Sequence, residues 1–300
     1  ISGQVRYNTT IEYSNLPIRQ LGDQEIDIIS MVKGITKYSK MITDPKEIKD
    51  EIIKAYNIAI SGRKGPVWLD IPMDIQGSDI DDAIEIDVKQ HIKNPVHSSK
   101  DIDFIIEKIK NAKRPAIIVG NGVRFSDSIE PLREIVNKAK IPLLTAWNAH
   151  DIIEDNFKYY FGRPGTVGDR PGNLIIQNSD LLLILGTRLN IRQIGYNWKN
   201  FARDSYKIMV DIDKNEMEKH TLKIDYPINS DLKPFLNSLT KKLDNDEIVE
   251  KDDWIEYCNK VKKEFPIFID EHRKSKKVNP YYFFNELSEI LPENEIVALG

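Results

Sequence analysis

Short runs of β-branched and aliphatic residues alternate along this chain with stretches in which apolar residues recur at helical spacing. The two longest aliphatic runs are Ala116–Val119 and Leu181–Leu185, and residues 46–60 carry apolar side chains at the period of a helix. This alternation is typical of parallel sheets whose strands are joined by helices that cover the sheet. The sequence therefore predicts the α/β class, with three-layer domains built on parallel sheets.

The order of these elements predicts two regions joined by a polar connection. Residues 78–99 are rich in charged residues and lack helical or strand periodicity, which indicates a linker. The elements of residues 100–245 predict one complete Rossmann-like domain. Strands are predicted at 1–5, 66–72, 114–120, 141–146, 180–185, 206–212 and 295–299. Helices are predicted at 25–32, 46–60, 128–139, 169–178, 231–242, 252–271 and 280–291.

Composition limits the partners of the protein. Of its 300 residues, 40% are hydrophobic and 30% are charged, which suits a globular chain with a sizeable core. The net charge is −4 and no basic stripe is present, so we expect no nucleic-acid partner. The aliphatic runs are far shorter than the roughly 20 residues of a spanning helix, so we expect no membrane partner. The lone Cys258 predicts a reducing, cytoplasmic location.

Two glycine-rich turns are candidates for anion binding. Gly120-Asn121-Gly122 follows a predicted strand, where glycine lets backbone amides approach a diphosphate, but taken alone the motif favours an ordinary strand-to-helix turn. The run from Gly162 to Gly172 precedes a predicted helix and carries Arg163 and Arg170. That helix could hold an anion at its N-terminus, and a plain surface loop is the alternative.

Polar residues follow two further predicted strands. Gly186, Arg188 and Asn190 follow Leu181–Leu185, at the end where α/β sheets place ligands. Arginines there favour an anionic ligand. Asp211 and Asp213 follow the next strand and suit sugar hydroxyls, although Asp213 could simply cap the helix after it. The five histidines lack the spacing of metal ligands, so no metal site is predicted within the chain.

Together these segments resemble the thiamine-diphosphate enzymes of the acetolactate synthase group. The matching segments are 65–76 (Gly-Pro-Val-Trp-Leu-Asp-Ile-Pro-Met-Asp-Ile-Gln), 115–122, 180–188, 210–213 and 229–231, in the family's order. The resemblance implies four parts. Residues 1–77 correspond to the C-terminal half of a pyrimidine-binding domain, 78–99 to a linker, 100–245 to the central domain, and 246–300 to a linker helix and the start of a diphosphate-binding domain.

The resemblance implies a carboligase or decarboxylase that acts on a 2-keto acid such as pyruvate, using thiamine diphosphate and Mg²⁺. It also implies a homodimer or homotetramer. In the family the catalytic glutamate would lie before Ile1 and the Gly-Asp-Gly motif that holds Mg²⁺ would lie after Gly300. We therefore expect the chain to be an interior piece of a longer protein, to contain no catalytic residue of its own, and to be inactive alone.

The resemblance also assigns residues that line the active site. Gln24 matches a glutamine beside the cofactor and Lys37 a lysine at the substrate entrance. Asp23 stands where relatives have an aromatic residue that shapes the acceptor pocket. Because an acidic group repels the carboxylate of pyruvate, we expect the acceptor to be a polar carbonyl compound such as a sugar.

In flavin-containing members the central domain binds FAD through loops that match candidates above. The corresponding residues here are Gly120, Asn121, Gly122, Gly162, Arg163, Gly165, Gly186, Thr187, Arg188, Asn190, Asp211 and Asp213. Pro164 and Asn190 depart from the family's histidine and aspartate, and some relatives lack flavin, so FAD binding and its absence both stay open. The alternative to an enzyme is a non-catalytic module that binds FAD or NAD.

Overall fold

The computed structural model describes residues 1–80, 94–292 and 295–298, which form two compact units. The first contains Ile1–Val96 with Asn229–Asp231, and the second contains His97–Ile228 with the remainder of the chain. Residues 81–93 of the predicted linker lie outside the described residues. The predicted division into four parts stays a prediction.

The first unit is built on three parallel strands in the order β1-β3-β2. The strands are β1 (Ser2–Gln4), β2 (Tyr38–Met41) and β3 (Val67–Pro72). The helices are α1 (Ile11–Ser14), α2 (Ile28–Val32), α3 (Ile48–Ile60) and α4 (Met73–Gln76), with 3-10 turns at Tyr7–Thr9 and Pro45–Glu47. Its small core joins Ala55 of α3 to Leu69 and Ile71 of β3.

Local signals explain where α3 begins and ends. The Asp44 carboxylate accepts a hydrogen bond from the backbone N–H of Lys46 at 2.9 Å, and Pro45 occupies the first turn, where no N–H donor is needed. After the helix, Gly62 adopts a left-handed φ of 52°. Asp44 and Pro45 thus begin the 3-10 turn Pro45–Glu47, and α3 follows it from Ile48, two residues after the predicted start. The predicted end at Ile60 is confirmed.

The second unit is built on five strands in the order β5-β4-β6-β7-β8, and β5, β4, β6 and β7 are parallel. The strands are β4 (Pro115–Val119), β5 (Leu143–Thr145), β6 (Leu181–Leu185), β7 (Tyr206–Asp211) and β8 (Tyr226–Asn229). The helices are α5 (Ser99–Asn111), α6 (Gly122–Phe125), α7 (Ile129–Ala139), α8 (Arg170–Asn178), α9 (Ile191–Ile194), α10 (Lys214–Met217), α11 (Leu232–Leu243), α12 (Asp252–Glu264) and α13 (Pro280–Ile290). Further 3-10 turns span Trp147–Ile152, Trp198–Asn200 and Asp270–Lys274.

The core of the second unit explains why its central strands are continuously apolar. Every residue of β4 and β6 is buried, as expected of parallel strands covered on both faces. Helix α11 packs against α7 and α5, while α12 packs against α8. The predicted α/β class with helices flanking parallel sheets is confirmed.

Several predicted element boundaries are wrong. The helix predicted at 252–271 ends at Glu264, because Pro266 excludes the helical conformation at Phe265, whose φ and ψ are −124° and 62°. Helix α5 was not predicted, although Ser98 and Asp101 form a capping box at its start. No strand forms at residues 295–298, and Leu299 of that prediction lies outside the described residues.

Within the ranges given above, none of the helices is both long enough and apolar enough to cross a membrane.

Candidate functional site

The predicted binding segments of the second unit lie at the carboxyl ends of four neighbouring strands. Gly120 follows β4, Gly186 follows β6 and Asp211 ends β7. Gly162 lies beside the end of β5, since its carbonyl accepts the N–H of Thr145 at 3.1 Å. The fold therefore brings these segments to one edge of the sheet, which we call the carboxyl edge.

The glycines after β4 and β6 pack against each other without side chains. The N–H of Gly122 donates to the carbonyl of Gly186 at 3.0 Å, and the N–H of Gly120 donates to Leu185 at 3.0 Å. A methyl group on Gly120 would lie 2.4 Å from the Gly186 oxygen and 2.5 Å from Cβ of Thr187. These two amides hold the loops together, so they are not available to a diphosphate as the sequence suggested.

Asn121 lies between the two glycines. The sequence predicted diphosphate binding by the backbone amides of this turn and gave no separate role to the Asn121 side-chain oxygen. Its Oδ1 atom is buried and has no hydrogen-bond partner among the described residues. A buried acceptor without a donor costs free energy unless a ligand or water supplies one. Asn121 is therefore the residue at this edge that most needs a hydrogen-bond donor, such as a hydroxyl group.

The glycine-rich loop at 162–172 closes around an aspartate of the chain itself. The Asp169 carboxylate accepts the N–H groups of Arg163 at 2.8 Å and Gly172 at 2.7 Å, and so caps α8. Burial raises the pKa of Asp169, while these two N–H groups oppose that shift. The predicted anion position at this helix N-terminus is thus taken by Asp169, which its place before Arg170-Pro171 could have indicated.

The loop after β6 combines exposed charge with a strained backbone. Arg188 and Arg192 are exposed, and neither forms an ion pair with a described residue. Leu189 between them is buried and adopts a φ of 45°, which is uncommon for a branched side chain. Asn190 caps α9 by accepting the N–H of Gln193 at 3.1 Å. The positive charges of Arg188 and Arg192 can attract an anion to this loop. Both guanidinium groups are exposed to solvent.

The two aspartates after β7 have structural roles. Asp211 accepts the N–H of Asp213 at 2.9 Å. Asp213 accepts the N–H of Asn215 at 3.0 Å and caps α10, as the alternative from the sequence held. Ribose recognition by these carboxylates stays a prediction.

Gly165 lies in the same edge region and connects two loops. Its N–H donates to Oδ1 of Asn173 at 3.0 Å, and its carbonyl accepts the amide of that residue at 3.1 Å. The neighbouring Thr166 donates through its N–H and its hydroxyl to the carbonyl of Arg192, both at 2.9 Å. The structure therefore joins the 162–172 loop to the loop after β6.

In the first unit, Glu25 organises the loop that presents Asp23 and Gln24. Its carboxylate accepts the N–H groups of Ile11 at 2.5 Å, Leu21 at 2.9 Å and Gly22 at 3.0 Å. Burial tends to raise the pKa of Glu25, but the three N–H groups together bring it below its ordinary value. Asp23 and Gln24 are exposed at the tip of this loop. The role of Glu25 was missed because the sequence alone does not show that the backbone N–H groups of this loop turn toward one carboxylate.

Lys37 has a different environment. Its Nζ donates to the carbonyl of Ser61 at 2.8 Å and to that of Ile58, and so satisfies the C-terminal end of α3. Partial burial lowers the pKa of Lys37. No hydrogen bond or ion pair joins Lys37 to Asp23 or Gln24 in the part of the chain that the structure describes, so its place at a substrate entrance stays a prediction.

Metal binding has little support in the described residues. Among them, no group of three His, Cys, Asp or Glu side chains is placed to hold a metal ion.

Comparisons with known proteins agree on one family. Residues 102–239 match the family model described as thiamine pyrophosphate enzyme, central domain. The acetolactate synthase large subunit of Corynebacterium glutamicum is 30% identical over 281 residues, which cover 92% of this chain and 44% of that protein. The probable large subunit of Methanocaldococcus jannaschii is 30% identical over 286 residues, which cover 93% and 48%. That of Methanococcus aeolicus is 33% identical over 271 residues, which cover 83% and 44%.

This chain thus spans about half the length of the curated relatives that it matches.

We expect Glu25 to control the amide environment of its loop. The folded Glu25 carboxyl has a pKa below the ordinary value of 4.5. Its contribution to the stability of the folded state is therefore complete above pH 4.5 and is lost as the pH falls through the folded pKa. In NMR titrations the amide signals of Ile11, Leu21 and Gly22 should therefore shift together, with one midpoint below 4.5. Glu25→Gln should abolish this transition, whereas Glu12→Gln should preserve it. Independent midpoints for the three amides would contradict this role.

We expect Gly120→Ala to destabilise the second unit by about 1–3 kcal/mol, because the added methyl meets backbone rather than a movable side chain. Gly34→Ala is the matched control, since a methyl group there would contact no atom within 4 Å. Urea unfolding followed by circular dichroism measures both. Equal midpoints for Gly120→Ala and Gly34→Ala would show that the loops can separate without cost.

Proposed function

The chain belongs to the thiamine-diphosphate-dependent, acetolactate synthase-like family, and on this premise we propose that it is part of a carboligase or decarboxylase acting on a 2-keto acid such as pyruvate. The observation that carries the proposal is the extent of the similarity, which covers 92% of the chain and so includes both units. A self-contained FAD- or NAD-binding module would need only the second unit. The enzyme is therefore the better account.

Thiamine diphosphate and Mg²⁺ belong to this proposal at the level of the longer protein. The sequence of the chain contains no Gly-Asp-Gly, and the described residues include no group of three metal-ligating side chains. These residues therefore do not fit the cofactor by themselves, and we assign no catalytic step to them. We propose that the chain contributes to the lining of the site through Asp23, Gln24 and Lys37.

The loop held by Glu25 supports a role in acceptor selection. Three N–H groups fix the loop around the Glu25 carboxylate, while Asp23 and Gln24 remain exposed. A side chain on a fixed loop keeps its position when substrate arrives, so its charge acts on the acceptor directly. We propose a neutral polar carbonyl compound, such as a sugar, as the acceptor.

FAD is the second cofactor that we propose, with the carboxyl edge of the second unit as its site. Two observations support it: the unpartnered Oδ1 of Asn121, which suits a ribityl or ribose hydroxyl, and the exposed Arg188, which suits a phosphate. Because Gly120 and Gly122 carry no side chains, nothing on either neighbour would lie between the Asn121 amide group and the bound FAD. When bound, FAD would add a redox-active ring to the protein.

The remaining proposals concern assembly and location. We propose a homodimer or homotetramer, because symmetric assemblies are the usual form of soluble oligomers and the family resemblance implies one. We propose a cytoplasmic location, since the lone Cys258 has no second cysteine in this sequence with which to form a disulfide.

The activity is tested with the full-length protein. We expect it to release CO₂ from pyruvate only when thiamine diphosphate and Mg²⁺ are both present, and to show flavin absorption bands if FAD co-purifies. Residues 1–300 alone should give neither tight thiamine diphosphate binding nor turnover. Nucleotide binding by the full-length protein without turnover of any 2-keto acid would favour the module instead.

The acceptor is tested by substitution at Asp23. We expect Asp23→Phe and Asp23→Asn each to raise kcat/KM for the condensation of two pyruvates by about five- to tenfold, because each removes a repulsive charge. Asp50→Asn, an exposed aspartate of α3, controls for net charge. If pyruvate is already the preferred acceptor of the unmodified enzyme, or if Asp50→Asn has the same effect, Asp23 does not select the acceptor.

A further inference from the structure

A cavity of about 750 Å³ lies at the amino edge of the second sheet, where β4 and β6 begin. It is open to solvent on one side and is lined by the loop between α5 and β4, the end of α8 and the start of α12. Its polar and aromatic lining includes Lys113, Arg114, Asn178, Asp252, Asp253 and Tyr257. The five residues of each central strand place it about 16 Å from the carboxyl edge, so it is not the site proposed for FAD.

One wall of this cavity is held in place by a chain of contacts. The rings of Trp254 and Tyr257 stack with centroids 5.3 Å apart and planes 9° apart, and the Trp254 Nε1–H donates to Pro115 at 2.9 Å. Asn178 donates to the Tyr257 hydroxyl at 3.2 Å and accepts from Nε of Arg114 at 2.6 Å. The aromatic surface and one edge of the guanidinium group are therefore positioned before any ligand arrives.

The charged groups of the cavity are not paired with one another. The terminal nitrogens of Arg114 and the ammonium of Lys113 form no ion pair with any described residue, and the Asp252 and Asp253 carboxylates form none either. The side-chain nitrogens of Lys113 and Arg114 therefore lie more than 4.0 Å from the carboxylate oxygens of Asp252 and Asp253, which is too far for an ion pair. Lys251 is different, because it donates to the Lys110 carbonyl at 3.0 Å.

Two simpler roles account for only part of this arrangement. Aspartates in the first turn of a helix interact favourably with its dipole, and Asp252 and Asp253 do so in α12. Surface lysines and arginines are commonly solvated. Neither role explains why unpaired charges of both signs line one cavity beside a fixed aromatic wall.

We propose that this cavity binds a small zwitterion with an apolar body, the chemistry of a free amino acid. Its carboxylate would bind Arg114 and Lys113, its ammonium would bind Asp252 and Asp253, and its side chain would pack against Tyr257. A ligand with both charges bridges groups that are too far apart to pair directly, and it leaves neither sign of charge unmatched. The site goes beyond the proposed enzymatic function and does not depend on it.

The test compares three probes of similar shape by isothermal titration calorimetry with the full chain. L-phenylalanine carries both charges, 3-phenylpropanoate carries only the carboxylate, and phenethylamine carries only the ammonium. We expect each single-charge probe to bind about tenfold more weakly than L-phenylalanine. Equal or tighter binding of either one would overturn the zwitterion in favour of a simple anion or cation site. Absence of saturable L-phenylalanine binding up to about 10 mM would overturn the site itself.

Two substitutions locate the binding without disturbing the fold. Neither the Lys113 ammonium nor the Asp253 carboxylate has a partner among the described residues, so Lys113→Gln should leave the unfolding midpoint unchanged. Asp253→Asn should lower it only slightly, by the lost interaction with the dipole of α12. Each should weaken L-phenylalanine binding about tenfold. Lys100→Gln and Asp204→Asn are the matched controls, because both residues are exposed and lie outside the cavity. If Lys100→Gln weakens L-phenylalanine binding as much as Lys113→Gln, or Asp204→Asn as much as Asp253→Asn, the binding site is not this cavity.

Discussion

Contact between bare backbones sets the arrangement of the carboxyl edge in the second unit. Gly122 donates to Gly186, and the space that a side chain on Gly120 would need is filled by Gly186 and Thr187. Because the loops after two neighbouring strands touch without side chains between them, the positions of Asn121 and of the strained Leu189 follow from the sheet itself. The chemistry of this edge therefore depends on a contact in which no functional group takes part.

The class of the fold, and the edge at which the binding segments gather, could be predicted from the sequence. Continuous apolar runs such as Leu181–Leu185 indicate strands that are buried on both faces, and parallel strands bring their carboxyl ends to one edge. Element ends were less predictable where two local signals compete. Pro266 ended a helix whose periodic pattern continues beyond it, and the capping residues before α5 were overlooked among polar neighbours.

Individual roles within the candidate site could not all be predicted, because several of its polar side chains bond to backbone groups of the chain itself. Asp169 takes the helix N-terminus that seemed ready for a ligand, and Lys37 satisfies the carbonyls at the end of α3. A polar side chain is equally compatible with a ligand and with the backbone, and only the fold decides which is nearer. The buried oxygen of Asn121 is informative for the same reason, since none of the residues that the structure describes donates a hydrogen bond to it.

The loop around Glu25 is held by groups different from the side chains that it exposes at its tip. The residues that fix it bond through backbone N–H groups, which every amino acid except proline supplies, whereas Asp23 at its tip contributes only a side chain. Substitution at the tip therefore need not disturb the frame, while loss of Glu25 would release three amides together. If Asp23 lines the acceptor pocket as we propose, such a loop would let evolution change substrate preference one residue at a time without passing through an unfolded ancestor.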